Sequence, residues 1–273
     1  MKIPKTIAAR IIRETAKYSK ILTEAKDRDV NEADTVVIVC DILSDIFGYD
    51  KYAEVTREFA IKHTYCDLAI QVGKEIKFLI EVKPVGFALQ SKHLKQVIDY
   101  AANHGVDWAV LTNGVIWEVY KVKFERPLDV DFVCGINLLE MDPHKETDQE
   151  QLFILCKEGL RRDAIREFSE YRGIVNKFYI GTVVLGDRIV DDIKKELKKI
   201  VPGIKVDSAE IESILKNEVL KRDIVEGDEA SQALAKYKKL TRKVAQKKSP
   251  EEKTEISETI AEDSNLQVDP GKV

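Results

Sequence analysis

The stretch Phe78-Leu79-Ile80-Glu81-Val82-Lys83 sets two charged residues in an apolar run with the alternation of a β-strand. In a strand, Glu81 and Lys83 share one face, while the apolar residues at alternate positions share the other. Charges in such an apolar context are costly unless they serve each other or a metal ion. The stretch therefore predicts a strand that carries a polar site at its end.

The preceding segment supplies a second carboxylate. Tyr65 to Val72 reads as a strand, and Gly73-Lys74-Glu75 is a turn that leads into Ile76 to Val82, which predicts a hairpin. Alternation allows Asp67 to point to the face that carries Glu81. The neighbours predicted to face the other way are Cys66, Leu68 and Ile70. The hairpin can thus bring two carboxylates and one ammonium group together.

The segments around the hairpin predict a mixed sheet flanked by helices. Asn31 has the features of an N-cap, with Glu32 and Asp34 in the first helical turn and Gly48 at the end of that helix. The other elements predicted on this side of the chain are a helix over residues 4–28, a strand over Val55–Ile61, a helix over Leu89–Asn103, and strands over Trp108–Thr112 and Val115–Val122 that are joined by an Asn113-Gly114 turn.

After Pro127 the pattern becomes helical. The helices predicted there are Gln149–Ser169, Ile189–Val201, one that starts at the cap Asp207, and Asp228–Gln246. We therefore expect an α/β (mixed α+β) protein with an all-helical C-terminal extension. The expected divisions are an N-terminal helix (1–30), a sheet domain (31–145), a helical extension (146–248) and a disordered acidic tail (249–273).

Composition narrows the class of protein. The 273 residues are 44% hydrophobic and 34% charged, which is enough to build a core and excludes a wholly disordered chain. The net charge is −4, yet Lys236–Lys248 carries seven basic residues and Ser249–Val273 carries seven acidic residues against two lysines. This distribution is compatible with binding to a polyanion.

No apolar run is long enough to cross a bilayer, and four widely spaced cysteines indicate reduced thiols, so we expect a cytoplasmic protein.

Two carboxylates and a backbone carbonyl are ligands that suit Mg²⁺ or Mn²⁺. A metal held in this way polarises a phosphodiester and helps to generate hydroxide. A lysine beside it can orient or deprotonate the water, or offset negative charge that develops at phosphorus. The hairpin therefore predicts phosphodiester chemistry, although an exposed ion pair across a hairpin would give the same pattern.

Four ordered motifs together resemble a known nuclease pattern. Asp67, then Glu81-Val82-Lys83, then Gln96-Val97-Ile98-Asp99-Tyr100 is similar to the PD-(D/E)xK motif followed by QxxxY. With Trp108-Ala109-Val110-Leu111-Thr112-Asn113-Gly114 and the helix that opens at Asn31, the region over residues 31–123 resembles the N-terminal nuclease domain of type I restriction enzyme R subunits. That resemblance implies a restriction-endonuclease-like core and Mg²⁺-dependent cleavage of double-stranded DNA.

Carried over to this sequence, the resemblance implies a role for each matching residue. Asp67, Glu81 and the carbonyl of Val82 would hold the metal, Lys83 would be the catalytic lysine, and Glu32 would be an upstream acid that joins the metal site. The residues expected to position phosphate, lysine or DNA are Gln96 and Tyr100. A phosphate-contacting role for the basic run is a further hypothesis, carried by Lys236, Lys238, Lys239, Arg242 and Lys243.

The chain departs from the family pattern in two respects. Cys66 stands where the motif has proline, and the 273 residues contain no GxxxxGK[ST] phosphate loop, so we expect no ATP and no translocating motor within them. Cleavage of both strands from one site per chain favours a homodimer. The helical extension could bind DNA, form the dimer, or dock a partner that supplies targeting. The alternatives are a non-catalytic DNA-binding or docking module on a degenerate nuclease fold, and a structural partner in a larger defence complex.

Overall fold

The computed structural model describes residues 1–61, 64–124 and 128–242. The chain divides into two compact units, Met1–Gly173 and a second unit that begins at Ile174. The first unit thus extends beyond the sheet domain expected over residues 31–145. It includes the N-terminal helix on one side of that range and three helices that follow it.

A six-stranded sheet forms the centre of the first unit, and its strands lie side by side in chain order. All neighbours pair antiparallel except β3 and β4, which are parallel. The crossover between those two strands is the helix α3 (Ser91–His104). The strands are β1 (Val55–Ile61), β2 (Thr64–Val72), β3 (Glu75–Val82), β4 (Trp108–Thr112), β5 (Ile116–Lys123) and β6 (Asp129–Asn137).

Helices cover both faces of the sheet, because alternate strand residues feed two separate apolar clusters. The larger cluster receives Phe78, Ile80 and Val82 from β3, and the smaller cluster receives Leu79 together with the buried face of α3. The helices that contribute to the larger cluster are α1 (Lys5–Asp27), α2 (Glu32–Asp45), α4 (Glu146–Phe153), α5 (Lys157–Leu160) and α6 (Ala164–Ile174). The expected mixed α/β fold with flanking helices is confirmed.

The predicted start of α2 is confirmed in detail. The Asn31 side chain accepts a hydrogen bond from the backbone N–H of Asp34 at 3.0 Å, which caps the helix. One turn along, the Thr35 hydroxyl donates to the carbonyl of Asn31 at 2.7 Å and accepts from the N–H of Val85 at 3.1 Å. The fully buried Thr35 therefore fastens the start of α2 to the segment that follows β3.

The regular elements described in the second unit are all helices, as expected for the C-terminal extension. Its helices are α7 (Lys177–Val184), α8 (Asp187–Ile200), α9 (Ser208–Ile214), a π-helical turn (Leu215–Val219), α10 (Arg222–Val225) and a helix over residues 228–242. The predicted cap at Asp207 is present, because its side chain accepts from the N–H of Ala209 at 3.2 Å. The predicted acidic tail over residues 249–273 lies outside the described residues.

Two sequence predictions about the region after Pro127 are wrong. The strand β6 was not anticipated, because it is an edge strand whose residues are largely exposed and whose apolar pattern is weak. The single helix expected over Gln149–Ser169 is instead three short helices, α4, α5 and α6. The chain folds back on itself there: a Cβ on Gly159 would lie only 2.0 Å from the carbonyl oxygen of Phe153, and Asp163 has a φ of 56°.

None of the described helices has the length and apolar character that crossing a membrane requires. All four cysteines are buried and unpaired: Cys40, Cys66, Cys134 and Cys156.

Candidate active site

Asp67 lies where the hairpin ladder opens. The last paired residues of β2 and β3 at this end are Leu68 and Ile80, so Asp67 begins the part of β2 that has separated from β3. Its Oδ2 accepts a hydrogen bond from the backbone N–H of Val82 at 2.7 Å. The carboxylate thus accepts the hydrogen bond that a backbone carbonyl of β2 would accept in a regular ladder. This bond holds Asp67 beside the end of β3.

Glu81 is the most deeply buried acid of the site, with only 1% of its surface exposed. Its backbone is fixed in β3, opposite Leu111 of the parallel strand β4. Its Oε1 accepts a hydrogen bond from Lys83 Nζ at 2.8 Å. Its Oε2 is buried and has no partner among the described residues. A buried carboxylate oxygen without a partner is costly when ionised, and this cost favours the neutral form of Glu81.

Lys83 joins the two acids on either side of it. Its backbone N–H donates to the carbonyl of Thr112 at 2.8 Å, which extends β3 along β4 by one residue. Its ammonium group bonds Glu81 and lies 3.5 Å from a carboxylate oxygen of Glu32 at the start of α2. Glu32 therefore contacts the lysine, a pairing that depends on how α2 docks on the sheet and that the sequence spacing does not reveal.

The acids of this site are shifted towards their neutral forms. Burial, with smaller contributions from the charges of Asp67 and Glu32, raises the pKa of Glu81 to about 7 in spite of the hydrogen bond from Lys83. Burial also raises the pKa of Asp67, although the Val82 N–H and Lys83 oppose it. Burial alone would lower the pKa of Lys83, but its bond to Glu81 and the surrounding acids outweigh that effect and raise it.

Gln96 and Tyr100 form a pair on α3, as their four-residue spacing predicts. Gln96 Nε2 donates to the Tyr100 hydroxyl at 3.0 Å. Gln96 is exposed, whereas Tyr100 is 7% exposed and packs in the smaller apolar cluster beneath the sheet. In the described part of the chain, neither residue has a hydrogen bond to Asp67, Glu81 or Lys83.

The basic residues of the second unit lie on the helix over residues 228–242. Lys236, Lys238, Lys239 and Arg242 are all exposed there. Lys243, the fifth residue of the predicted phosphate-contacting set, lies outside the described residues.

One predicted orientation within the hairpin is wrong. Leu68 and Ile70 lie in the larger apolar cluster as expected, but Cys66 belongs to the smaller cluster on the side of α3. The simple alternation fails beyond Leu68, where β2 is no longer paired with β3. The Cys66 thiol lies 3.2 Å from the carbonyl of Ile80, and burial raises its pKa to about 12, so it packs as an inert side chain.

A divalent cation is compatible with the donors that are present. Among the described residues there is no group of three or more His, Cys, Asp or Glu arranged to hold a metal, so a purely side-chain centre is absent there. The predicted set uses two carboxylates and a backbone carbonyl, which is a normal environment for Mg²⁺ with its retained waters. Glu81 Oε2, which has no hydrogen-bond partner among the described residues, is an oxygen that such a cation would take as a ligand.

One protein-family model matches the part of the chain that contains the sheet. Residues 38–132 match the family model of the type I restriction enzyme R protein N terminus. The match includes Asp67, Glu81 and Lys83 as well as the pair on α3, and it supports a nuclease-like relationship for this part of the chain. Glu32 and the basic helix lie outside it. No curated protein and no solved structure gives a significant match.

Sequence reasoning missed the residues that fix the site from a distance. Thr35 and Thr112 hold the backbone around Lys83 through bonds that span 50 and 29 positions of the chain, respectively, and no local pattern signals such contacts. His93 on α3 also lies near the site, and no motif in the sequence marks it. Burial and the charges of Lys92 and Lys83 lower its pKa, which places it in the electrostatic surroundings of the site.

Proposed function

We propose that Asp67, Glu81 and Lys83 form a metal-dependent nuclease site that hydrolyses phosphodiester bonds of DNA. The observation that carries this proposal is the buried, partnerless oxygen of Glu81 beside an ordered lysine and a second carboxylate. A surface ion pair would leave no such atom, because both groups would be solvated. The match to the R protein N terminus supports the same reaction class.

The proposed cofactor is Mg²⁺ or Mn²⁺, held by Asp67, Glu81 and the carbonyl of Val82. When bound, the cation would polarise the phosphodiester and lower the pKa of a coordinated water. Asp67 is already oriented for this role by the hydrogen bond from the Val82 N–H. The rigid pairing of β3 with β4 fixes Glu81 and the Val82 carbonyl relative to each other.

Lys83 orients the attacking water and offsets negative charge at phosphorus. Its position between Glu81 and Glu32 keeps the ammonium group within the site rather than in solvent. The Lys83 side chain is accordingly only 16% exposed. Gln96 and Tyr100 position the phosphate or the flanking DNA from α3. The exposed lysines of the helix over residues 228–242 add sequence-independent attraction to the DNA backbone.

Cleavage of both strands would require a second site at the opposed phosphate, which a homodimer would supply. The proposed reaction itself uses no ATP. The chemistry needs only water, the cation and the residues named above.

The test is cleavage of supercoiled and linear DNA by the native chain with Mg²⁺ or Mn²⁺. The Glu81→Ala and Lys83→Ala proteins should each lose about 100-fold or more of the rate. Lys77→Ala is a matched control, because Lys77 lies on the same strand but pairs with Glu75 at its other end. The control should cut like the native chain. Cutting that survives both site substitutions, or no cutting by the native chain, would favour the non-catalytic binding module.

A further inference from the structure

The segment between Lys83 and α3 holds an exposed aromatic ring on a fixed backbone. The N–H of Phe87 donates to the carbonyl of Pro84 at 2.9 Å, and its own carbonyl accepts from Asn113 Nδ2, also at 2.9 Å. At the start of the segment, Val85 is tied to Thr35. Asn113 and Thr35 are both buried, yet the Phe87 side chain is 42% exposed. The chain thus anchors the backbone firmly while leaving this ring in solvent.

A second ring supports Phe87 from behind. The His93 ring lies 5.3 Å from that of Phe87, tilted by 55°. His93 is held in turn, because its Nδ1 accepts a hydrogen bond from the backbone N–H of Gln90 at 3.2 Å. The two rings therefore form a preorganised aromatic surface, and little side-chain entropy would be lost if a planar ligand stacked on it.

This surface lies close to the candidate active site. The turn from Pro84 to Phe87 brings its ends within about 7 Å, and one further Cα step of about 3.8 Å separates Pro84 from Lys83. The Cα atom of Phe87 is therefore within about 11 Å of that of Lys83. The rise along the axis of a duplex is about 3.4 Å per nucleotide of each strand, and phosphates of an unpaired strand lie further apart than this, so the distance spans about three nucleotides at most.

Both cations and acids lie near this surface: the Asp29 carboxylate is beside Gly86, and Lys83 is paired with Glu32 and Glu81. Lys83 and the exposed Lys92 both act on His93 and lower its pKa, while Glu32 opposes them. Cations next to an exposed aromatic ring are the combination with which proteins bind single-stranded nucleic acid, since the charges attract phosphates and the ring stacks a base. A protein partner would not need the lysines, and a duplex would hide the faces of its bases.

On the basis of the proposed nuclease function, we propose that Phe87, backed by His93, stacks an unpaired DNA base within about three nucleotides of the phosphate at the active site. The preferred substrate would then contain unpaired bases near the scissile bond, as in a single-stranded overhang or a frayed duplex end. Phe87 would act as a binding residue, outside the group that holds the metal.

The experiment measures binding by the full chain, in EDTA, to a fluorescein-labelled single strand and to the same sequence as a duplex. Phe87→Ala should weaken binding to the single strand about 10-fold and leave duplex binding nearly unchanged. Phe87→Tyr should bind like the native chain, because its ring still stacks. The matched control is Phe132→Ala, which removes an exposed phenylalanine from the edge strand β6 and should have no effect.

A base analogue reports stacking directly. Emission from 2-aminopurine in the single strand should fall when the native chain binds, and this quenching should be lost with Phe87→Ala but kept with Phe132→Ala. Equal affinity of native and Phe87→Ala proteins for the single strand, or no binding of the single strand by the native chain, would overturn the proposal. Absence of metal-dependent cleavage would instead overturn the nuclease function, so the two failures are distinguishable.

Discussion

Replacing Glu81 with glutamine should stabilise the metal-free protein at alkaline pH and have little effect at acidic pH. Burial raises the pKa of Glu81 from an ordinary 4.5 to about 7, so folding opposes ionisation of this group. Glutamine mimics the neutral carboxyl, and its Oε1 still accepts the hydrogen bond from Lys83. The substitution therefore removes the unfavourable buried charge while keeping the contact.

The magnitude follows from the two pKa values. A tenfold change in proton affinity is worth about 1.4 kcal/mol, so a rise from 4.5 to about 7 corresponds to about 3 kcal/mol. Between these values the folded protein binds more protons than the unfolded chain, and the free energy of unfolding falls as pH rises. The stabilising contribution is complete below about pH 4.5 and is lost as pH rises through about 7.

The assay is urea unfolding in EDTA from about pH 5 to about pH 8, followed by the fluorescence of the buried Trp117. The stability of Glu81→Gln minus that of the native chain should grow by up to about 3 kcal/mol over this range. Glu140→Gln, the same substitution at an exposed position, should follow the native profile. If the free energies of unfolding of the native and Glu81→Gln proteins change in parallel with pH, the argument that burial raises the pKa of Glu81 is refuted.

The metal proposal makes the opposite prediction for the loaded protein. A cation that binds ionised Glu81 stabilises the native chain by about 2.7 kcal/mol at a concentration 100 times its Kd. Added Mg²⁺ or Mn²⁺ should therefore raise the Tm of the native chain at about pH 8, and Glu81→Gln should lose this response. An equal rise in both proteins would place the bound cation elsewhere.

Three further substitutions or treatments test the structure around the site. Asn31→Ala removes the cap of α2 and should lower the free energy of unfolding by about 1 kcal/mol in urea; no loss would contradict the cap. The Tyr49 hydroxyl donates to the Leu155 carbonyl at 2.7 Å, and Tyr49→Phe leaves this carbonyl without a partner in the core. The substitution should lower the free energy of unfolding, measured by thermal unfolding, by about 1–3 kcal/mol. An unchanged stability would imply that water replaces the hydroxyl. Because all four cysteines are buried and burial raises their pKa values, a thiol reagent should label none in the folded chain and all after denaturation; rapid labelling of the folded chain would contradict this burial.

The parts of the fold that local chemistry determines could be predicted from the sequence. The cap at Asn31 follows from its amide and the acids behind it, and the hairpin follows from alternation interrupted by Gly73. The same alternation places Glu81 and Lys83 on one face of β3, whereas Asp67 is held beside them by the N–H of Val82 at the point where the β2–β3 ladder ends. The cap, the hairpin and the shared face of Glu81 and Lys83 need no information beyond neighbouring residues.

The remaining features depend on contacts between distant parts of the chain. The bond between Lys83 and Glu32 exists only after α2 docks, and the orientation of Cys66 depends on where the β2–β3 ladder ends. The helix expected over Gln149–Ser169 breaks because its residues pack back on one another, although their local propensities are helical. In each case tertiary structure overrides a pattern that is correct as a local preference.

The order of strands in the sheet has a consequence for synthesis. Because β1 to β6 lie in the same order in space as in the chain, a nascent polypeptide can add each strand to the growing edge as it emerges. The framework that holds Asp67, Glu81 and Lys83 is complete once β4 has paired with β3, and this pairing uses no residue of β5 or β6. The candidate active site can thus form ahead of the helical segments that follow it in the chain, without rearrangement of strands that have already paired.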